Sequence, residues 1–158
     1  MIRIFPDYET LCLEAADLIL KKSGDAIERN GRFSLVLSGG STPRRLYEIL
    51  ADRTLRKKTP WEKIDIFWGD ERCVPENDPR SNQLMARETL LDHIPIPEEN
   101  IHPIRFDGSP KASADKYEAQ IKSYFKDRET SFNMILLGLG EDGHTASLFP
   151  RLAVSRRS

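Results

Sequence analysis

Ser131–Pro150 reads S-F-N-M-I-L-L-G-L-G-E-D-G-H-T-A-S-L-F-P, and the organisation of the whole chain follows from it. Phe132 to Leu137 is a short, nearly continuous apolar run without alternation. That pattern predicts a strand buried on both faces, as in a parallel sheet covered by helices. The run breaks at once into Gly138, Gly140 and Gly143, with Glu141, Asp142 and His144 among and after them. In open α/β sheets ligands sit beyond the carboxyl ends of the strands. A buried strand ending in glycines, two acids and a histidine therefore predicts the floor of an active site. A tight surface turn with solvated charges would give the same residues, so other strand ends must decide.

Two further strand ends have the same character. Phe33 to Leu37 is apolar and runs straight into Ser38-Gly39-Gly40-Ser41-Thr42-Pro43. Thr42 suits an N-cap and Pro43 the first helical position, which predicts a helix from there to about Ala51. Glycines admit a ligand close to the backbone, hydroxyls add donors, and free N–H groups at a helix start favour a phosphate. The loop lacks the lysine of a P-loop, which argues against a nucleoside triphosphate. Ile64 to Trp68 predicts the third strand, and it ends in Gly69-Asp70-Glu71-Arg72-Cys73-Val74-Pro75. Three consecutive charges at a strand mouth fit a polar pocket better than a bare surface turn. Cys73 has no histidine near it in sequence to activate its thiol.

Helices fill the intervals. Asp7 predicts the cap of a helix reaching Asn30, with Leu11, Ala15, Leu18 and Ile19 at helical spacing and Gly31 as its stop. Ser81 predicts the cap of a helix from Asn82 to about Leu91. Ser109-Pro110 opens another, with Ala114, Tyr117, Ile121 and Phe125 as its buried side. Arg3 to Phe5 is read as a short edge strand, Arg53 to Lys58 as a solvated basic connector, and Pro95 to Pro103 as an extended connector. His93 and His102 lie near that connector, away from the glycine-rich ends, and are assigned to surface or packing roles. Strands alternating with helices predict an α/β fold, a Rossmann-like parallel sheet with helices on both faces. The three polar strand ends, at Ser38, Gly69 and Gly138, should then meet at one edge of the sheet.

Composition sets the class. At 158 residues the chain has one domain's length and can bury a real core. With 39% hydrophobic and 31% charged residues and a net charge of −1, nothing favours nucleic acid. No apolar run approaches the ~20 residues that span a bilayer, and the first residues lack a secretory apolar core. Two distant cysteines, Cys12 and Cys73, have no metal-ligand spacing and fit a reduced, cytoplasmic compartment.

Taken together, S-G-G-S-T-P at Ser38–Pro43, D-E-R-x-V-P at Asp70–Pro75 followed by Ser81-Asn82, and L-G-L-G-E-D-G-H-T-A-S-L-F-P at Leu137–Pro150 resemble 6-phosphogluconolactonases. These form part of the glucosamine-6-phosphate isomerase/6-phosphogluconolactonase family. The resemblance implies hydrolysis of 6-phospho-D-glucono-1,5-lactone to 6-phosphogluconate, in the oxidative pentose phosphate pathway. It implies no metal and no organic cofactor, a small sugar phosphate lactone as the only partner, and a monomer when complete. By resemblance His144 is the general base, an imidazole being suited to take a proton from water near neutrality. Asp142, Glu71 and Asp70 are each candidates to orient it. Gly39, Gly40, Ser41 and Thr42 would cradle phosphate or sugar oxygens, with Gly143 also assigned to substrate binding. Arg72 would pair with the phosphate.

Three other readings compete with this one. The related glucosamine-6-phosphate deaminase pattern carries an acid five residues after its histidine, where this chain has Phe149. Gly138-x-Gly140-x-x-Gly143 formally matches a dinucleotide fingerprint, but that motif needs a helix, another strand and an acid about 20 residues on. Pro150 and the end at Ser158 leave no room for them. The remaining alternative is a truncated, inactive remnant that at most binds sugar phosphate. Residues 1–150 are thus expected to form an incomplete lactonase domain, and residues 151–158 a divergent tail. The family pattern continues for roughly another third of its length, so a truncated or frameshifted product is expected.

Overall fold

The computed structural model describes residues 2–126 and 131–150. Helix α1 (Tyr8–Asn30) begins at Asp7, whose carboxylate accepts from the Thr10 N–H at 2.7 Å. It ends at Gly31, which takes the left-handed conformation that glycine adopts without a Cβ penalty. Strand β1 (Phe33–Leu37) leads into α2 (Ser41–Leu50) and α3 (Arg53–Lys58). Strand β2 (Ile64–Trp68) is followed by α4 (Asn82–Thr89), β3 (Ile101–His102), α5 (Pro110–Tyr124) and β4 (Met134–Ile135). The strands are all parallel, in the order β3-β2-β1-β4. This is the expected α/β sheet.

Strand periodicity divides the core. Phe33, Leu35, Leu37, Ile64, Ile66 and Trp68 belong to one apolar cluster with Cys12, Ala16, Tyr47, Leu50 and Met85, from α1, α2 and α4. Between them on the strands stand Ser34, Asp65 and Phe67, which face the other way. Phe67 stacks on His102 at 4.4 Å and meets Tyr124 and Phe132 edge-on. Small residues dominate the buried stripe of α1 (Cys12, Ala16, Ile19, Ser23, Ala26). The helix thus turns a slightly different face inward than Leu11 and Leu18 suggested, and both of these are exposed.

Several expectations need correction. No strand forms at residues 3–5; Arg3 instead pairs with Glu14 and lies over the Phe5 ring. Residues 53–58 are helical, because Asp52 accepts from the Thr54 N–H and caps them. The proline-rich connector contains β3, two residues too short to carry any periodicity. In α2 the cap is Gly40, not Thr42, and no side chain caps the helix. Pro43 is therefore the third helical residue, still among the first four, whose N–H groups have no intrahelical partner. Ala114 on α5 is exposed, while Phe125 is buried. The largest difference is β4. Only Met134 and Ile135 pair with β1, and burial alternates: Met134 and Leu136 pack on the core, whereas Ile135 is 50% and Leu137 62% exposed. The apolar run is an edge strand among the described residues, covered on one side.

The polar residue inside β2 has a full set of partners. Arg32 donates to both Asp65 oxygens (2.7 and 2.9 Å), Tyr124 donates to Oδ2 at 2.8 Å, and His102 Nε2 lies 3.3 Å from Oδ1. The packing role assigned to His102 fits this network; His93 reaches the Glu88 carbonyl. Burial alone would raise the Asp65 carboxyl, but the hydrogen bonds from His102, Arg32 and Tyr124 outweigh it and hold the pKa down at about 2. A depressed carboxyl stabilises the fold above its unfolded pKa and loses that contribution as pH falls through the folded value. Between pH 5 and pH 2 the protein should thus lose roughly 2 kcal/mol more stability than its Asp65→Asn variant. Urea unfolding at stepped pH checks this; parallel curves for the two proteins would contradict it.

Candidate active site

The three glycine-rich strand ends open onto one cleft of about 710 Å³. Residues 38–43 after β1, Asp70–Arg72 after β2 and the turn holding His144 after β4 all line it. Parallel strands deliver their carboxyl ends to the same edge, so this convergence follows from the topology.

The histidine turn is built by short local bonds. The Gly140 N–H donates to the His144 carbonyl at 2.8 Å, and the Gly143 N–H to the Gly140 carbonyl at 2.9 Å. His144 Nδ1 lies 2.5 Å from Asp142 Oδ1, and its backbone N–H reaches the same oxygen at 3.2 Å. An ionised carboxylate only accepts, so Nδ1 carries the proton, and in the neutral imidazole Nε2 keeps a lone pair. These bonds from the His144 ring and backbone hold the Asp142 carboxyl below its ordinary range. Phe149 stacks on the imidazole at 4.8 Å. Gly140 is required by this packing, since a Cβ there would stand 2.2 Å from the His144 ring. Gly143 has φ 82° and shapes the turn; it is not among the residues lining the cleft.

Of the three acids that could orient His144, only Asp142 is hydrogen-bonded to it. Glu71 has a different task. Its carboxylate accepts from Ser81 Oγ (3.0 Å), the Asn82 N–H (2.7 Å) and the Gln83 N–H (2.8 Å), and so closes the first turn of α4. A carboxylate at a helix N-terminus meets both free donors and the positive end of the dipole. Asp70 faces its neighbours in the cleft: Oδ1 accepts from Asn82 Nδ2 at 3.3 Å and Oδ2 from Ser147 Oγ at 3.5 Å.

The Arg72 backbone N–H donates to Glu71, while its exposed guanidinium makes no ion pair among the described residues. It lines the cleft, and its side-chain donors have no hydrogen-bond partner among the described residues. Gly39, Gly40, Ser41 and Thr42 also line the cleft, at the start of α2. Asn82, Ser147 and Phe149 were not singled out as site residues from the sequence. Asn82 stood in the Ser81-Asn82 pair of the family motif, and Phe149 at the position where the deaminase pattern has an acid; nothing but its place in the long motif marks Ser147. Among the described residues, no group of three or more His, Cys, Asp and Glu side chains could hold a metal ion, and no helix is long and apolar enough to cross a membrane.

Comparison with known proteins adds an independent line. A family profile described as glucosamine-6-phosphate isomerases/6-phosphogluconolactonase matches residues 6–157. A 6-phosphogluconolactonase from Nostoc sp. is 47% identical over 153 residues, covering 94% of this chain and 62% of its own length. One from Synechocystis sp. is 50% identical over 129 residues, covering 79% and 52%. The crystal structure of 6-phosphogluconolactonase from Thermotoga maritima superposes with a TM-score of 0.82 at 32% identity, covering 94% of this chain and 63% of that one. The chain thus spans less than two thirds of the length of these relatives.

Proposed function

The chain belongs to the glucosamine-6-phosphate isomerase/6-phosphogluconolactonase family, and we propose that its cleft is the greater part of a site that hydrolyses 6-phospho-D-glucono-1,5-lactone to 6-phosphogluconate. The observation that carries this reading is His144, held by Asp142 and lining one cleft with the glycine-serine loop and Arg72. Its place in metabolism would be the oxidative pentose phosphate pathway.

The chemistry asks little beyond water delivery and charge stabilisation. Asp142 holds Nδ1–H, which turns the free Nε2 into the base that takes a proton from water. The water oxygen bonds to C1 of the lactone, and the carbonyl oxygen becomes an oxyanion. Collapse of that intermediate breaks the bond from C1 to the ring oxygen. The proton held by His144 then passes to the departing alkoxide, so atoms and charge balance. A base of this kind contributes on the order of 10²–10⁴ in rate. The N–H groups at the start of α2 and the Arg72 guanidinium bind the phosphate, which fixes the lactone over His144.

Phe149 favours a lactone over an amino sugar, because an aromatic ring packs the histidine where the deaminase pattern has an acid. The direct test uses the chain extended after Pro150 by the C-terminal third of the Nostoc relative. Acid release from fresh phosphorylated lactone should exceed the spontaneous background, with glucosamine 6-phosphate left unchanged. Ammonia release from the amino sugar without lactone turnover would overturn the assignment. In the same protein, Arg72→Ala should raise KM for the phosphorylated lactone on the order of tenfold or more, and leave that for the unphosphorylated lactone nearly unchanged. Equal changes for both substrates would show that Arg72 does not read the phosphate.

A further inference from the structure

Asn82 is 4% exposed and opens α4, yet its side chain takes no part in capping that helix. Ser81 Oγ accepts from the Leu84 N–H, and Glu71 takes the Asn82 and Gln83 N–H groups. The amide is therefore left for other work. Its Nδ2 donates to the Asp70 carbonyl at 3.1 Å and to Asp70 Oδ1 at 3.3 Å. On the other side it presses on the loop after β1: a Cβ at Gly39 would stand 1.9 Å from Asn82 Oδ1 and 2.3 Å from Cγ. Gly39 is not among the glycines with positive φ, so its lack of a side chain answers to this contact and not to backbone conformation. Asp70 in turn accepts from Ser147 in the turn after β4. One buried amide thus stands at the centre of a path Gly39–Asn82–Asp70–Ser147 that touches all three strand mouths.

We propose that Asn82 is a positioning residue: wedged between Gly39 and Asp70, it sets the spacing between the loop that cradles the phosphate and the loops that hold the reacting carbon. The inference rests on the lactonase reading of the cleft, but the wedge itself does not. Losing the amide frees Asp70 to swing and lets the 39–42 loop settle inward. Displacements near 1 Å can cost about 10² in rate.

The geometry makes a non-additive prediction. Asn82→Ala removes the wedge. Gly39→Ala expels it, because the new methyl takes the space of Oδ1. Both variants should arrive at the same defect by different routes, and the double variant should be no worse than either. In the extended chain, each single variant and the double variant should lower kcat by on the order of 10- to 100-fold, with KM changed much less. Defects that multiply in the double variant would mean that the two residues act independently, and would overturn the proposal. A KM defect equal to the kcat defect would also overturn it, since uniform loss of binding is not mispositioning. Amide spectra of the same proteins supply a readout without turnover. Asn82→Ala should shift the signals of Gly39 and of Ser147, the latter through Asp70, while leaving those of β3 in place. If the unaltered protein leaves the lactone untouched, the functional reading fails and these shifts alone decide the wedge. Unmoved signals at Gly39 and Ser147 would contradict it.

Discussion

His144→Ala in the extended chain should lower kcat for the phosphorylated lactone by a factor of ~10²–10⁴ and disturb KM far less. His144 is the one imidazole at the cleft; His93 and His102 are committed to the Glu88 carbonyl and to Asp65. Its Nδ1 is bound to Asp142, which leaves Nε2 as the atom that can act on water. Because the ring fills no part of the core, the variant should unfold at nearly the same temperature as the unaltered protein. Steady-state kinetics beside a thermal scan separate the two effects. A variant retaining more than half of the original rate would remove His144 from the mechanism.

Glu71→Ala should do the opposite and act first on stability. Its carboxylate receives four hydrogen bonds, from Ser81 Oγ and from the Arg72, Asn82 and Gln83 N–H groups, the last two having no other partner among the described residues at the start of α4. Net values for bonds to a charged group run ~1.5–3 kcal/mol each, and they are not additive. A loss of about 3 kcal/mol is expected, a large share of a typical ~5–15 kcal/mol margin. Turnover should fall as a consequence, because Asp70 and Arg72 flank the residue that anchors their loop. Glu71→Gln keeps shape and one acceptor and should recover part of the stability. Denaturant midpoints of the two variants decide it: an alanine variant as stable as the original would contradict the anchoring role of Glu71.

The contrast between these residues shows what the sequence carried. His144 and its turn were legible only because two other strand ends share their glycine-and-charge character; alone, the turn reads equally well as a solvated surface turn. The same holds for the loops after Leu37 and Trp68, and parallel topology then forces all three to one edge. Glu71 was legible as a charge at a strand mouth but not as a helix cap. Its partners at residues 81–83 lie ten to twelve residues on, across a loop with no periodicity to reveal its return. Strand β3 was hidden for a related reason: Ile101 and His102 are too few to show alternation, and β2 alone gives them their conformation. In β4 the signal was present and overread. Met134 and Leu136 turn to the core while Ile135 and Leu137 do not, and residue type alone cannot distinguish the inward from the outward members of a run in which nearly all are apolar.

The central claim is that the cleft shared by the three strand ends receives the phosphorylated sugar with its C1 at His144. A crystal structure of the extended chain soaked with 6-phosphogluconate tests it most directly. The account predicts the phosphate against the N–H groups of residues 39–42 and the Arg72 guanidinium, and the C1 carboxylate within hydrogen-bonding distance of His144 Nε2, about 2.6–3.2 Å. The product lying elsewhere, or in this cleft with its phosphate at His144 and its carboxylate at the glycine-serine loop, would contradict it.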